Sequence, residues 1–211
     1  MLNSKGFDKW SGTYDESIRN SNGYPFEGYY EILNYVQMRI DVTDETKILD
    51  IGVGTGELTY ELYKKGLKIF GLDFSSRMID IAQTKMPKAE FYCMDFKPDV
   101  TKMLKRKKFD YIVSSYALHH IENQHKIELI HKLMNNLKDG GKLIVADVAF
   151  ETKETLEKCR EIFKKKWDFD EFYLAGKDTI SELSKIGLKA SYKQLSICAG
   201  ILEVVKTKVS I

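Results

Sequence analysis

The stretch Lys47-Ile48-Leu49-Asp50-Ile51-Gly52-Val53-Gly54-Thr55-Gly56-Glu57 constrains the fold more than any other part of the chain. A short apolar run enters a glycine turn, and an amphipathic stretch follows. The run reads as a buried strand and Glu57–Lys65 as a helix whose N-terminal amides face whatever the turn holds. Glycines allow the positive φ of a tight turn and let a ligand touch the backbone. Dinucleotide sites usually carry G-x-G-x-x-G around a pyrophosphate. Here the spacing is G-x-G-x-G, Glu57 takes the position of the third dinucleotide glycine, and Asp50 precedes the loop. Glu57 would oppose a pyrophosphate, whereas Asp50 can attract an ammonium, so a ligand with an amino-acid end fits both. Glycines that serve only the turn are the plainer alternative, and the rest of the chain decides between them.

Downstream, short apolar runs alternate with helical stretches. Strands are expected at Lys47–Ile51, Lys68–Leu72, Glu90–Cys93, Tyr111–Ser114 and Lys142–Val148. Helices are expected at Glu57–Lys65, Ser75–Lys85, near Val100–Lys105, and at Gln124–Leu137. That alternation means βαβ units and a mostly parallel sheet with helices on both faces. Two more helices follow, Lys153–Lys166 and Asp178–Lys185. Two final strands, Lys189–Ser196 and Ile201–Lys208, are joined through Ala199–Gly200, a link so short that they must be antiparallel. With 211 residues and no repeat, low-complexity tract or linker, one domain over 1–211 is expected. Residues 1–46 form a helical, aromatic cover, with Tyr29, Ile32, Leu33, Val36 and Ile40 at helical spacing. Residues 151–177 form a helical insert.

The second strand ends in Asp73, where a carboxylate can accept both hydroxyls of a ribose; capping the helix that begins near Ser75 is its alternative role. The third ends Met94-Asp95-Phe96. Asp95 could accept from an adenine amine with Met94 and Phe96 against the ring, or it is a loop carboxylate. Asp50, Asp73 and Asp95 all fall on the carboxyl edge of the sheet, where ligands of such folds bind.

A net charge of +2, with 43% hydrophobic and 30% charged residues, demands neither nucleic acid nor an anionic membrane. No apolar run approaches the roughly 20 residues of a membrane helix, and the first ten residues carry no signal core. Cys93, Cys159 and Cys198 are scattered and form no C-x-x-C pair, which suits a reducing, cytoplasmic setting. The four histidines, 119, 120, 125 and 131, contain no i, i+4 pair, so no metal site is expected.

Five segments in register resemble class I S-adenosylmethionine-dependent methyltransferases: Asp50–Gly56, Leu72–Met78, Met94-Asp95, Asp110–His120 and Leu137–Leu143. The resemblance spans about residues 7–205 and is nearest to uncharacterised bacterial methyltransferases of the YrrT type. It implies a Rossmann-like α/β fold with a seven-stranded, mostly parallel sheet whose last strand is antiparallel. It implies S-adenosyl-L-methionine as cofactor: Gly52, Gly54 and Gly56 around the methionine part, Asp73 on the ribose, and Asp95 on the adenine. Phe74 and Met78 lie nearby, and the Ser115 carbonyl lies beside the amino group. In related enzymes a Tyr-Asp pair, here Tyr14-Asp15, folds over the cofactor; packing of Tyr14 against the sheet is the alternative.

A sulfonium methyl is already electrophilic, so the protein must chiefly align the acceptor and exclude water. His119 and His120, just past the fourth strand, could act as the base or could only support their loop. The acceptor expected is a small molecule, because the insert carries Phe163, Trp167, Phe169, Phe172 and Tyr173. RNA or protein is the alternative, through the basic runs Lys102–Lys108 and Lys164–Lys166, although such runs are more often solvated faces. The Asn/Asp-Pro-Pro-aromatic and Pro-Cys signatures of nucleic-acid enzymes are absent. A nicotinamide oxidoreductase is disfavoured by the loop spacing, and a non-catalytic cofactor sensor stays open. The chain is expected to be a monomer or homodimer.

Overall fold

The computed structural model describes Glu16, Ile18 and residues 23–95 and 100–207. Among the described residues eight strands form: β1 Lys47–Ile51, β2 Lys68–Asp73, β3 Glu90–Cys93, β4 Phe109–Ser115, β5 Leu137–Phe150, β6 Leu174–Ala175, β7 Lys189–Gln194 and β8 Ala199–Val205. Helices of the described residues are α1 Tyr29–Gln37, α2 Tyr60–Lys64, α3 Ser76–Lys85, α4 Val100–Leu104, α5 Asn123–Leu133, α6 Lys153–Ile162 and α7 Gly176–Lys185.

The sheet runs β3-β2-β1-β4-β5-β8-β7. All neighbours from β3 to β5 are parallel, and β8 is antiparallel to both β5 and β7. The expected seven-stranded sheet with an antiparallel last strand is therefore present. The two-residue β6 is an addition, pairing with Ala149 and Phe150 at the end of β5.

The apolar runs alternate in the way a sheet covered on both sides requires. Ile48, Val113, Ile144 and Val148 point into one core with α1, α2, α3 and α6. Leu49, Ile51, Ile112, Leu143 and Val145 point into the other, with α4, α5 and α7. In α1, Tyr29, Ile32, Leu33 and Val36 are buried as their spacing predicts, and Ile40 beyond it is also buried.

Several boundaries differ from the sequence expectation, and four of the differences have a visible cause. Regular helix after the glycine loop starts at Tyr60, not Glu57, because Gly56 at φ 87° turns the chain once more; its carbonyl accepts from the Tyr60 amide at 2.8 Å. β5 starts at Leu137, which pairs with Phe109. A bulge containing Gly140 then restores register at Lys142 opposite Tyr111. α6 stops at Ile162, after which Phe163 packs inward instead of extending the helix to Lys166. Finally, Ala199–Gly200 belong to β8. The turn is Leu195–Cys198, closed by the Leu195 and Ser196 amides on the Ala199 carbonyl, both at 3.0 Å. Gly200 is needed for packing, not turning: a Cβ there would lie 2.0 Å from the Tyr192 hydroxyl oxygen.

Candidate active site

Strand order reverses direction at β1, whose neighbours are β2 on one side and β4 on the other. The carboxyl ends of these three strands enclose a cleft of about 550 Å³, measured to its open mouth. This is the switch-point crevice where open α/β sheets take ligands.

One wall is the glycine loop. Gly52 and Gly54 line the cleft at φ 72° and 53°. The Gly52 and Val53 amides both donate to the Leu72 carbonyl, at 2.8 and 2.9 Å, which lays the loop across the end of β2. Asp73, 5% exposed, lines the floor. Its Oδ2 accepts from the Gly54 amide at 2.8 Å and its Oδ1 from the Ser75 amide at 2.9 Å. Ser75 caps α3 with its own hydroxyl, accepting from the Met78 amide at 3.2 Å. Phe74, Met78 and Ser115 also line the cleft.

Asp50 lies beneath the loop, 1% exposed and off the cleft surface. Its Oδ2 accepts from Thr59 at 3.0 Å, and its Oδ1 is buried with no hydrogen-bond partner. Burial pushes the carboxyl up to about 7; the Thr59 bond opposes that shift and the Asp73 charge adds to it. Gly56 faces away, and a Cβ on it would meet Met86 Cε at 2.5 Å, so it seats the loop on α3.

The opposite wall is Tyr29, Tyr116, Ala117 and His120. Tyr116 holds the left-handed region at φ 48°, uncommon for a bulky residue and costly enough to mark a constrained site. Its amide donates to the Ala146 carbonyl at 2.9 Å, and its ring packs 4.9 Å from Tyr29.

Behind His120 is a buried polar network. His119 Nδ1 lies 2.5 Å from Asp147 Oδ1, and the His119 amide donates to Asp147 Oδ2 at 3.0 Å. Burial opposes a charged His119, but the Asp147 charge and hydrogen bond and the Glu171 charge outweigh it and hold the ring above the ordinary histidine range. Burial likewise pushes Asp147 up, and His119 and Lys126 more than reverse that. Lys126 is drawn down to about 8 by burial, against the attraction of Asp147 and Glu171. Its Nζ donates to Asn123 Oδ1 at 2.8 Å and to the Phe172 carbonyl. Above the network, Tyr173 donates to Glu171 Oε2 at 2.6 Å and its hydroxyl meets that of Tyr24 at 2.7 Å. Tyr24 stacks on Phe163 and Trp167, at 5.1 and 5.4 Å.

Residues 48–141 match a family of methyltransferase domains. An uncharacterised methyltransferase of Staphylococcus carnosus is 34% identical over 181 residues, covering 83% of this chain and 80% of its own. One from Geobacillus sp. strain WCH70 is 30% identical over 214 residues, covering 95% and 96%. The chain belongs to the class I S-adenosylmethionine-dependent methyltransferases. Solved structures agree on the fold. Magnesium protoporphyrin IX methyltransferase of Synechocystis PCC 6803, solved with bound S-adenosylhomocysteine, is 20% identical with a TM-score of 0.70, covering 97% of this chain and 96% of its own. The N-methyltransferase NodS of Bradyrhizobium japonicum WM9 is 15% identical with a TM-score of 0.69, covering 97% and 98%.

In this methyltransferase, seven of the residues expected at the site share the cleft: Gly52, Gly54, Asp73, Phe74, Met78, Ser115 and His120. Asp50, Gly56 and His119 stand behind it. Met94 is half-buried and Asp95 exposed beyond β3, and neither lines the cleft. Tyr14 and Phe96 lie outside the described residues. Sequence reasoning missed Tyr29, Tyr116, Asp147 and Glu171. Asp147 did carry a signal, an acid inside the apolar run Leu143–Phe150, where an unpaired charge would be costly. Glu171 carried none, since it sits in an unpatterned insert.

Among the described residues no helix is long and apolar enough to cross a membrane. The cysteines are free, Cys93 exposed and the other two buried.

Proposed function

We propose that the chain transfers a methyl group to a small-molecule acceptor in the cleft between the glycine loop and the Tyr29–Tyr116–His120 wall. One observation carries this reading: the wall of the cleft facing the glycine loop is aromatic, with Tyr29 and Tyr116 packed 4.9 Å apart on it, and a cluster of Tyr24, Phe163, Trp167 and Tyr173 from two separate segments packs behind it, with Tyr173 6.3 Å from His119. A narrow, partly apolar cleft wall suits a small acceptor better than a polymer.

The cleft fits the cofactor. Its loop wall lacks side chains at Gly52 and Gly54, and its floor is a buried carboxylate held in place by the Gly54 and Ser75 amides. We assign the Asp73 carboxylate to the ribose hydroxyls and the Ser115 carbonyl to the amino group. The Asp50 charge beneath the loop favours that same ammonium through space. Met94, Asp95 and Phe96 are assigned to the adenine, and Tyr14 to the cover. When bound, S-adenosylmethionine supplies a methyl group already activated by its sulfonium. Tyr29 and Tyr116 exclude water, His120 contacts the acceptor, and His119, fixed by Asp147, supports His120 from behind. Residues 1–46 and 151–177 then form the acceptor cover, and we place the enzyme in the cytoplasm.

The basic run does not favour RNA. Lys107 pairs with Glu90 at 2.5 Å, and Lys108 donates to the Asn135 carbonyl at 2.6 Å. Both flank the start of β4, at the end of the sheet opposite the cleft.

The test is transfer of label from methyl-labelled S-adenosylmethionine into low-mass metabolite, RNA and protein pools, with Asp73→Ala as control. Label in a metabolite, lost with Asp73→Ala, is expected. Label confined to RNA or protein would overturn the assignment.

A further inference from the structure

His119, His120 and Glu171 bring one potential ligand atom each to within 4.8 Å of one another, and of the three His120 lines the cleft assigned above to the acceptor. We propose that these three side chains bind a divalent transition-metal cation of the zinc type, leaving an open position beside the methyl acceptor. The location beside the acceptor rests on the proposed function; the cation site itself does not.

The geometry supports ligation over hydrogen bonding. Glu171 Oε1 is 3.5 Å from His119 Nε2 and 3.9 Å from His120 Nδ1, both longer than a hydrogen bond. Two ligands bonded to one tetrahedral zinc at about 2.0–2.1 Å stand roughly 3.4 Å apart, so modest contraction would close the set. Two imidazoles and a carboxylate form a donor set that such cations favour.

The surroundings orient each ligand. An ionised Asp147 can only accept, so His119 Nδ1 carries a proton, and in the neutral ring that a cation would select, Nε2 offers its lone pair on the side of Glu171. A carboxylate behind a ligating histidine is the usual second layer of a metal centre. Tyr173 occupies Glu171 Oε2 and leaves Oε1 for the cation. His120 lines the cleft, which puts one ligand on the wall an acceptor would touch. Three protein ligands with one position open is the catalytic rather than the structural arrangement of zinc, and a cation there could polarise an acceptor oxygen or sulfur. The spacing rule for helices misses this set, because its histidines are adjacent and its carboxylate lies far along the chain.

The experiment uses the full chain, free of any histidine tag and stripped with chelator, titrated with Co²⁺ and then Zn²⁺. One equivalent of Co²⁺ should bind, with visible bands of nitrogen and oxygen ligation that Zn²⁺ abolishes. His120→Gln and Glu171→Gln should each weaken binding at least 10-fold, and Asp147→Asn by about 10- to 100-fold. Circular dichroism shows that the variants fold, and Glu171→Gln should still bind S-adenosylhomocysteine as the parent does. Failure of the parent to bind one equivalent, or binding that survives both ligand substitutions, would overturn the site. Failure of S-adenosylhomocysteine to bind the parent would instead sink the cofactor assignment and leave the cation result standing.

Discussion

The Gly54 amide donates to Asp73 Oδ2 at 2.8 Å, so the tip of the glycine loop and the last residue of β2 form one unit. The loop's shape and the floor of the cofactor cleft therefore depend on the same carboxylate.

Asp73→Ala should lower S-adenosylhomocysteine affinity at least 10-fold by calorimetry. It should also destabilise the fold by about 1–3 kcal/mol, because two backbone donors lose their acceptor. Asp73→Asn keeps one acceptor oxygen and should fall between. Full affinity in Asp73→Ala would remove the ribose assignment.

Gly54 and Gly56 should separate binding from stability. Gly54→Ala places a methyl in open space on the cleft wall at φ 53°, so cofactor affinity should drop while the fold bears only the backbone strain of about 1 kcal/mol, with no packing clash. Gly56→Ala drives a methyl toward Met86 at φ 87°, and should cost about 1–3 kcal/mol in chemical denaturation. Equal effects of both changes on both measurements would contradict the division of roles.

Asp50 should give stability a pH slope. Burial lifts its carboxyl from the ordinary 3.8 to about 7, so between those values the folded chain binds more protons than the unfolded one. The stabilisation is complete below the lower value and is lost as pH rises through the upper one. Asp50→Asn cannot ionise and lacks this loss. Its stability relative to the parent should rise from pH 4 to pH 7 by up to roughly 1.4 kcal/mol per pH unit. Parallel stability curves would show that Asp50 is ionised throughout. The bound ammonium favours the ionised form, so parental cofactor affinity should rise over the same interval and that of Asp50→Asn should not.

Tyr24 and Tyr173 should be energetically coupled. Their hydroxyls meet at 2.7 Å in a buried setting that raises both phenols. Tyr24→Phe and Tyr173→Phe should each destabilise by about 0.5–1.5 kcal/mol, and the double variant by less than their sum. Strict additivity would show that the contact does not form in solution.

Much of this architecture was legible because local signals and tertiary needs coincide. The runs around Ile48, Ile112 and Ile144 alternate between two cores, so a sheet covered on both sides could be read directly. The glycine loop and Asp73 were legible because backbone conformation and ligand chemistry narrow the residue types allowed there. Gly200 misled the reading, since its missing side chain makes room for Tyr192 and the turn lies a few residues earlier. Gly56 is alike in having a packing role, since a Cβ there would meet Met86 and the residue does not line the cleft. Glu171 and Tyr24 were not legible, because their importance comes from contacts between segments far apart in sequence, and no local period records those.

The Tyr24–Tyr173 contact has an evolutionary consequence. Tyr24 and Tyr173 come from segments outside the alternating βα core, one before β1 and the other after β5. Under the proposed function, substitutions, insertions or deletions in either stretch would reshape acceptor preference while the framework assigned to the nucleoside stays untouched. Divergence toward new acceptors should accumulate at these two margins, leaving the scaffold between them as the shared inheritance.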